Sequence, residues 1–338
     1  MAAEKNRQWR LAKRPVGMVE ESDFEFREEP VPAVPDGGVL VRNLLMAFDP
    51  AMRGWMENRA SYMPPLQIGE VMRGGGVGEV VESRDPSLPV GKLVQGLLGW
   101  QEYAAYGAGA PLNALPEGVA PELALGVLGT TGLTAYFGIL EVGQLKDGDT
   151  VVVSAAAGAT GSVASQIAKL HGCRTVGIAG GPAKCSWLTS DCGLDAAIDY
   201  KSEDVEERLR ELCPEGVDLY FDNVGGGILD AVLGQIALRA RVVLCGAISR
   251  YNETERGPGP KNYFNLTLQR GRMEGFIVLD YAAKMADAGK QLLEWERSGK
   301  LVHKEDVQKG IENAPRTLQR LFRSENFGRQ LLRLAESG

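Results

Sequence analysis

The first half of the sequence lacks the two residue types that most often bind zinc. The 338 residues include two histidines and five cysteines, and neither type occurs before His171. A catalytic zinc needs about three protein ligands from Cys, His, Asp or Glu, and carboxylates alone make a poor zinc site. We therefore expect no catalytic metal.

The cysteines are few, and their spacing shows no pairing pattern. Their total is odd and they form no CxxC pair, which argues against a disulfide framework and a thiolate metal cluster. The sequence therefore predicts a reduced, cytoplasmic protein. The five residues are Cys173, Cys185, Cys192, Cys213 and Cys245.

Basic charge and long apolar runs are also scarce. The formal net charge is −7, which disfavours a nucleic-acid binder because such affinity rests on Lys and Arg neutralising phosphates. No apolar run approaches the roughly 20 residues that span a bilayer. Residues 1–14 are mixed and charged, unlike a signal peptide. We expect two domains, no nucleic-acid partner and no membrane partner.

The first 120 or so residues alternate short apolar runs with Gly and Pro. This texture predicts a compact, mostly β domain, and the tail from about Leu301 has the same character. We assign residues 1–125 and 300–338 to this domain and residues 126–299 to a second one. A helical passage is expected over Pro121–Leu140.

The second domain begins with a continuous apolar strand, Thr150–Ser154, of the kind buried on both faces. Repetition of strand and helix from there predicts a doubly wound parallel α/β sheet. Further strands are expected at Arg174–Ala179, Ala196–Asp199, Leu219–Phe221 and Arg241–Leu244, with helices at Ser162–His171, Asp204–Leu212 and Gly227–Ile236.

A small-residue turn with the spacing AxxGxxG joins the first of these strands to its helix. Such a turn lets the backbone approach a pyrophosphate, and helix N-terminal amides favour the negative charge. The flanking strand, helix and second strand supply the context that the motif requires. The alternative is a tight turn without a ligand. The residues expected to bind a dinucleotide are Ala157, Gly158, Ala159, Thr160 and Gly161.

The end of the second strand distinguishes between the nicotinamide cofactors. NAD sites usually place Asp or Glu there, but this chain has Gly180 and Gly181, followed by Lys184. A missing carboxylate and a nearby ammonium accept a 2′-phosphate. NADPH is therefore the expected cofactor. The alternative is that Lys184 only begins a solvated helix.

Several motifs together carry a family resemblance over about Asn6–Leu334. The chain resembles the zinc-independent medium-chain dehydrogenase/reductases, in the branch of prostaglandin reductases, alkenal double-bond reductases and curcumin reductase-like enzymes. Zinc-bearing relatives have Gly-His-Glu where this chain has Gly69-Glu70. The motifs lie at residues 49–54, 69–78, 132–138, 155–161, 220–226, 245–252, 273–276 and 325–328.

The resemblance implies a Rossmann domain, a GroES-like catalytic domain and a homodimer joined at an edge strand near Phe276–Leu279. It implies that Tyr251 assists catalysis, and Ala51 is a candidate substrate contact. Tyr62 either borders the substrate or, beside two prolines, only packs within its loop. Many relatives have Tyr in place of Ala51, so substrate preference is expected to differ. Cofactor contacts are implied for Lys184, Tyr200, Asn223, Cys245, Gly246, Ala247, Ile248, Ser249, Phe276, Ile277, Val278 and Asn326.

The implied activity is NADPH-dependent reduction of the C=C bond of an α,β-unsaturated aldehyde or ketone. Hydride goes to the β-carbon, and a hydrogen-bond donor such as Tyr251 stabilises the carbonyl oxygen. Three alternatives stay open. They are an NADPH:quinone oxidoreductase, a zinc-free alcohol dehydrogenase and a catalytically silent NADPH-binding protein. For Tyr251 the alternative is a structural loop tyrosine that packs against the ribose.

Overall fold

The computed structural model describes residues 5–255 and 257–336, and none of the helices in these ranges is long and apolar enough to cross a membrane. The strands are β1 Lys5–Leu11, β2 Phe24–Pro30, β3 Val39–Ala47, β4 Gly76–Ser83, β5 Leu93–Gly96, β6 Tyr103–Tyr106, β7 Asn113–Ala114, β8 Thr150–Ser154, β9 Arg174–Ala179, β10 Ala196–Asp199, β11 Val217–Asp222, β12 Ile236–Leu244, β13 Arg272–Gly275, β14 Glu305–Lys309 and β15 Arg329–Arg333. The α-helices are α1 Met52–Trp55, α2 Pro121–Leu125, α3 Thr130–Phe137, α4 Ala159–Leu170, α5 Pro182–Ser190, α6 Val205–Leu212, α7 Gly226–Leu233, α8 Asn265–Leu268, α9 Met285–Arg297 and α10 Ala314–Phe322.

One compact unit, Gly126–Lys304, is built on a six-stranded sheet with the order β10-β9-β8-β11-β12-β13. All neighbouring strands are parallel, so the predicted doubly wound sheet is confirmed. The central strand β8 is buried from Val151 to Ser154 because helices cover both faces of the sheet. The strand order reverses between β8 and β11, and ligands of such sheets bind beside this point, at the carboxyl ends of the strands.

The other compact unit comprises the described residues up to Leu125 and from Glu305 onward. Its seven-stranded sheet has the order β14-β15-β3-β4-β5-β7, with β6 also paired to β3, and β1 and β2 form a separate hairpin. The predicted mostly β character is therefore confirmed. The late strand β15 pairs with β3, and Ile311 and Leu318 pack into the same core as Trp100.

The predicted helix Gly227–Ile236 is too long. Helix α7 ends at Leu233, where Gly234 follows as the C-terminal cap. Ile236 is instead the first residue of β12 and pairs with Val217 of β11. The apolar run through this segment is compatible with either structure, and burial of Ile236 in the sheet decides it.

The predicted helical passage Pro121–Leu140 is interrupted. Helix α2 ends at Leu125, α3 begins at Thr130, and a π-helical turn follows at Gly138–Val142. The chain approaches itself closely here, since a Cβ on Gly132 would lie 1.8 Å from the Val127 carbonyl oxygen. Only glycine permits that approach, so the break depends on residues within the passage itself.

The edge strand of the parallel sheet is not at Phe276–Leu279, as the resemblance implies, but at Arg272–Gly275. Val278 begins a 3₁₀ helix that runs to Lys284. The chain leaves the sheet at Phe276, whose ring packs against Gly138: a Cβ there would lie 2.6 Å from the Phe276 Cζ atom. An apolar run of four residues does not distinguish a strand from a turn of helix.

Candidate functional site

The turn between β8 and α4 is shaped for close backbone approach. Ala155 has a left-handed φ of 47°, and the Gly158 amide donates to the Ala155 carbonyl over 2.9 Å. A Cβ on Gly161 would lie 2.4 Å from that carbonyl oxygen and 2.9 Å from the Cα of Ala156. Because both are backbone atoms, the first turn of α4 can pack against the β8 end only with glycine at position 161.

The amino end of α4 presents amide groups to a ligand. The first N–H groups of an α-helix have no acceptor within the helix, and no side chain in the described ranges caps α4. Gly158, Ala159 and Thr160 are all half-buried, so the site is accessible at one side. These amides and the helix dipole together form a cradle that fits a pyrophosphate.

We predict that Gly161→Ala weakens NADPH binding at least tenfold. The added methyl group forces the Ala155–Ala157 backbone out of position, and such overpacking typically destabilises by about 1–3 kcal/mol. Fluorescence titration with NADPH measures the loss of affinity. Gly289→Ala is the matched control, because a Cβ on Gly289 in α9 meets no atom within 4 Å among the described residues. Equal affinities for the two variants would contradict the prediction.

The end of β9 carries no acidic residue, and an aromatic ring covers it instead. Gly180 lies directly after β9, and Lys184 occupies the first turn of α5. A Cβ on Gly180 would lie 2.9 Å from both the hydroxyl oxygen and the Cε1 atom of Tyr200. The predicted residues Lys184 and Tyr200 therefore lie on two different segments near this strand end. Lys184 is in α5, and Tyr200 directly follows β10.

The nearest strand-end carboxylate, Asp199, is bonded to the backbone. Its Oδ1 accepts the amides of Gly181 at 2.7 Å and Lys201 at 3.1 Å. The bond from Gly181 is the main reason that the pKa of Asp199 is lowered. This carboxylate therefore shapes the turn that follows β9.

Asp222 organises the topological switch point, and the sequence analysis missed it. The residue is buried at the end of β11. Its main-chain carbonyl also accepts the amides of Cys245 and Gly246, which follow β12. Asp222 follows the apolar run Leu219–Phe221, and an acid in that position could have indicated this role, since a buried charge needs partners. Its Oδ1 accepts from Ser154 Oγ at 3.1 Å, Tyr220 Oη at 2.7 Å, Val224 N at 3.0 Å and Gly225 N at 2.9 Å.

Tyr220 is the phenol donor to this carboxylate. It is fully buried, and burial raises its pKa well above the ordinary value. The hydroxyl therefore stays protonated and donates to Asp222. Through Ser154, Tyr220 and the turn amides, the carboxylate joins the ends of β8 and β11, and the main-chain carbonyl of the same residue holds the end of β12.

An open pocket of about 940 Å³ lies at the carboxyl ends of β11, β12 and β13; Asp222 lines it, and the β8–α4 turn does not. The walls come from the residues after β11, β12 and β13 and from the first turn of α7. Tyr251 faces this pocket, and its hydroxyl oxygen accepts the Ala247 amide at 3.2 Å. The predicted residues that line it are Cys245, Gly246, Ala247, Tyr251, Phe276 and Ile277.

The remaining predicted residues of this unit lie in the same strand-end loops. The Asn223 side-chain nitrogen donates to the Ser154 carbonyl at 2.7 Å. Ile248 and Ser249 form a 3₁₀ turn, in which the Ile248 amide donates to the Asn223 carbonyl and the Ser249 hydroxyl to that of Val224. Val278 follows the pocket residues Phe276 and Ile277.

The Cys245 thiol lies in surroundings that disfavour the thiolate form. Burial raises the pKa of its thiol to about 12, and the negative charge of Asp222 acts in the same direction. The thiol is therefore neutral near pH 7, and a neutral thiol is a poor nucleophile.

Three predicted residues belong to the mostly β unit. Ala51 is the N-cap of α1, and one turn later the Trp55 indole nitrogen donates to the Tyr62 hydroxyl at 2.9 Å. Asn326 donates from its side chain to the Gly328 carbonyl at 3.1 Å. The start of α1 is anchored by the nearly buried Arg329, which pairs with Asp49 at 2.5 Å and donates to the Phe48 carbonyl.

Comparison with known proteins identifies the chain. Residues 7–114 match the family described as the N-terminal domain of oxidoreductase, and residues 159–295 match the family described as zinc-binding dehydrogenase. The NADPH-dependent curcumin reductase of Escherichia coli is 40% identical over 98% of this chain and 98% of its own. The chain belongs to the medium-chain dehydrogenase/reductases.

Two further relatives place this medium-chain dehydrogenase/reductase within its branch. The NADP(+)-dependent 2-alkenal reductase of Nicotiana tabacum is 40% identical over 97% of each chain. The crystal structure of CurA from Vibrio vulnificus in complex with NADPH is 39% identical and superimposes with a TM-score of 0.93, over 98% of this chain and 99% of that one. The resemblance to curcumin and alkenal reductases is therefore confirmed.

Among the described residues of this medium-chain dehydrogenase/reductase, potential metal ligands do not cluster. Across residues 5–255 and 257–336, no group of three His, Cys, Asp or Glu side chains could hold a metal ion. His171 caps the carboxyl end of α4, with its Nδ1 2.8 Å from the Ile167 carbonyl oxygen. Glu70, at the position of the Gly-His-Glu motif, accepts the Gln67 amide at 2.9 Å.

Proposed function

We propose that this chain is an NADPH-dependent reductase of the C=C bond in α,β-unsaturated aldehydes and ketones. The observation that carries the proposal is the β8–α4 turn, where glycine at position 161 and the uncapped amides of α4 form a dinucleotide cradle. Relatives named curcumin reductase and 2-alkenal reductase, similar over nearly the whole chain, support the substrate class.

The residues of the predicted site have distinct roles in this proposal. The turn Ala157–Gly161 holds the pyrophosphate, and Lys184 and Tyr200 bind the 2′-phosphate. Asn223, the segment Cys245–Ser249, Phe276–Val278 and Asn326 line the dinucleotide. When bound, NADPH supplies the hydride that is added to the β-carbon of the substrate.

Tyr251 is the proposed hydrogen-bond donor to the substrate carbonyl oxygen, which gains negative charge during the reaction. Its oxygen accepts the Ala247 amide, and a phenol that accepts one hydrogen bond still carries its own hydrogen. A protonated phenol can donate this hydrogen to the substrate carbonyl oxygen. Tyr62 and Ala51 border the substrate in this proposal, and Ala51 leaves space that Tyr fills in many relatives.

The experiment that tests the proposed activity is a substrate panel. Nonenal, a cyclic enone and a quinone are each assayed with NADPH and with NADH, by the loss of nicotinamide absorbance. Reduction of the enal or enone with a preference for NADPH is the expected result. Faster turnover of the quinone would favour an NADPH:quinone oxidoreductase, and oxidation of NADPH by none of the three would refute the proposed activity.

Zinc independence is part of the proposal, and chelation tests it. We expect that dialysis against EDTA leaves kcat for the enal unchanged within about twofold, because the carbonyl oxygen is stabilised by a hydrogen bond and not by a Lewis acid. Elemental analysis of the dialysed protein is the control. A loss of turnover that zinc restores would contradict this part of the proposal.

The proposal includes a cytoplasmic location, in keeping with five free thiols.

The proposal also includes a homodimer joined at β13. Only β12 pairs with β13 among the described strands, and Met273 and Leu279 are exposed beside the open edge. We expect light scattering to give a dimer and the double variant Met273→Lys/Leu279→Lys to give a monomer. A monomeric wild-type protein at micromolar concentration would exclude the dimer.

A further inference from the structure

Two side chains from the loop after β10 cover the end of β9. A Cβ on Gly180 would lie 2.9 Å from the Tyr200 hydroxyl oxygen and 2.9 Å from the Cε atom of Lys201. Glycine at position 180 leaves the space that these two side chains occupy. The hydroxyl oxygen and the last methylene of the lysine therefore lie within about 6 Å of one another, the sum of the two distances.

This is the place where NAD-dependent enzymes of the same sheet topology carry an acidic residue. Here the residue after the strand is Gly180, and the Tyr200 hydroxyl group and the Lys201 side chain cover it. Lys184 follows in the first turn of α5, on a different segment. Two lysines on separate segments thus flank this strand end, and the carboxylate beside it, Asp199, accepts backbone amides.

The acidic residues near Lys201 have other partners. The Oδ1 atom of Asp199 accepts the backbone amides of Gly181 and Lys201. Glu203 pairs with Arg208 at 2.9 Å and accepts the Asp199 amide at 2.7 Å. Lys201 is exposed, and its ammonium forms no ion pair within residues 5–255 and 257–336, although it lies in electrostatic range of Asp199.

We propose that Lys201 is a second cationic contact for the adenosine 2′-phosphate and helps to set the preference for NADPH over NADH. The inference rests on the proposed function, which assigns that phosphate to Lys184 and Tyr200. A phosphate monoester carries a charge of about −1.5 to −2 at pH 7, so a single ammonium leaves it only partly neutralised. Lys201 supplies the second charge at the position already opened by Gly180.

The expected effect is confined to ligands with the 2′-phosphate. Hydrogen bonds to charged groups are stronger than those between neutral groups, and solvent exposure of Lys201 weakens this contact. We therefore expect Lys201→Met to raise the Kd for NADPH about five- to twentyfold and to leave the Kd for NADH within about twofold. Lys201→Arg keeps the charge and should bind NADPH within about threefold of wild type.

Direct binding tests the inference without relying on turnover. Calorimetry measures the Kd of NADPH, NADH and adenosine 2′,5′-bisphosphate for wild type, Lys201→Met, Lys201→Arg and the control Lys300→Met, an exposed lysine after α9. We expect weaker binding of both phosphate-bearing ligands only in Lys201→Met. Gly180→Ala, which pushes Tyr200 and Lys201 away from the strand end, should act in the same direction.

The outcomes separate the inference from the function on which it rests. If wild type prefers NADPH and Lys201→Met binds both phosphate-bearing ligands equally well, the role of Lys201 is overturned and the proposed function stands. If Lys300→Met loses as much affinity for the phosphate-bearing ligands as Lys201→Met, the loss comes from the change in overall charge. The role of Lys201 is then overturned as well. If wild type binds NADPH no better than NADH, the proposed cofactor preference fails as well.

Discussion

Replacement of Tyr251 by Phe is expected to lower kcat for an enal by about 10²–10³, the usual effect of removing one donor to a developing oxyanion. The variant keeps the ring that lines the pocket and loses only the hydroxyl that accepts the Ala247 amide. Steady-state kinetics with saturating NADPH measures kcat, and a separate titration measures the Kd for NADPH. A catalytic donor changes kcat far more than Kd.

Tyr263→Phe is the matched control for this variant. Tyr263 lies twelve positions further along, is 61% exposed and has no place in the proposed machinery. Its replacement should leave kcat unchanged. If Tyr251→Phe turns over at nearly the wild-type rate, or if only the Kd for NADPH rises, Tyr251 packs against the cofactor and is not the donor.

Replacement of Asp149 by Ala is expected to lower the free energy of unfolding by about 3–5 kcal/mol, as is typical when one partner of a buried ion pair is removed. Asp149 and Arg241 form an ion pair at the amino end of β8, and each residue is only 7% exposed. Arg241 also donates to the carbonyls of Gly143 and Gln144, so it stays buried when the carboxylate is lost. The urea midpoint of unfolding measures the effect.

The control for Asp149→Ala is Asp287→Ala, which removes one partner of the exposed pair with Lys290. Exposed pairs contribute about 0–1 kcal/mol, so this midpoint should hardly move. The double variant Asp149→Ala/Arg241→Met should be less destabilised than Asp149→Ala alone, because no unpaired charge then remains buried. A shift for Asp149→Ala no larger than that of Asp287→Ala would refute the role assigned to this pair.

Local patterns were enough to predict much of the parallel sheet. The predicted bounds of β8, β9 and β10 agree with the structure because each is a short, mostly apolar run between turn residues, and β8 is buried along most of its length. The boundary between α7 and β12 was wrong, as was the strand at Phe276–Leu279, since short apolar runs fit a strand or a helix equally well. Packing against Val217 and Gly138 decides those cases.

The candidate site divides in the same way. The glycine turn and Lys184 are recognisable because their residues are neighbours in the chain and have a fixed spacing. The position of Asp222 after an apolar run is also visible in the sequence, but its partner Ser154 ends a different strand 68 residues away, and only the fold brings the two together. The position of Lys201 over Gly180 likewise depends on the pairing of β10 with β9.

By itself, the sequence determined the order of strands and helices, the doubly wound class and the expected dinucleotide, because periodicity, turn residues and a missing acid act over short stretches of chain. The tertiary structure alone decided which strand ends meet at Asp222, what fills the space at Gly180 and where the edge strand ends. Those features depend on contacts between distant segments, which form only when burial of the strands brings their ends to one edge of the sheet.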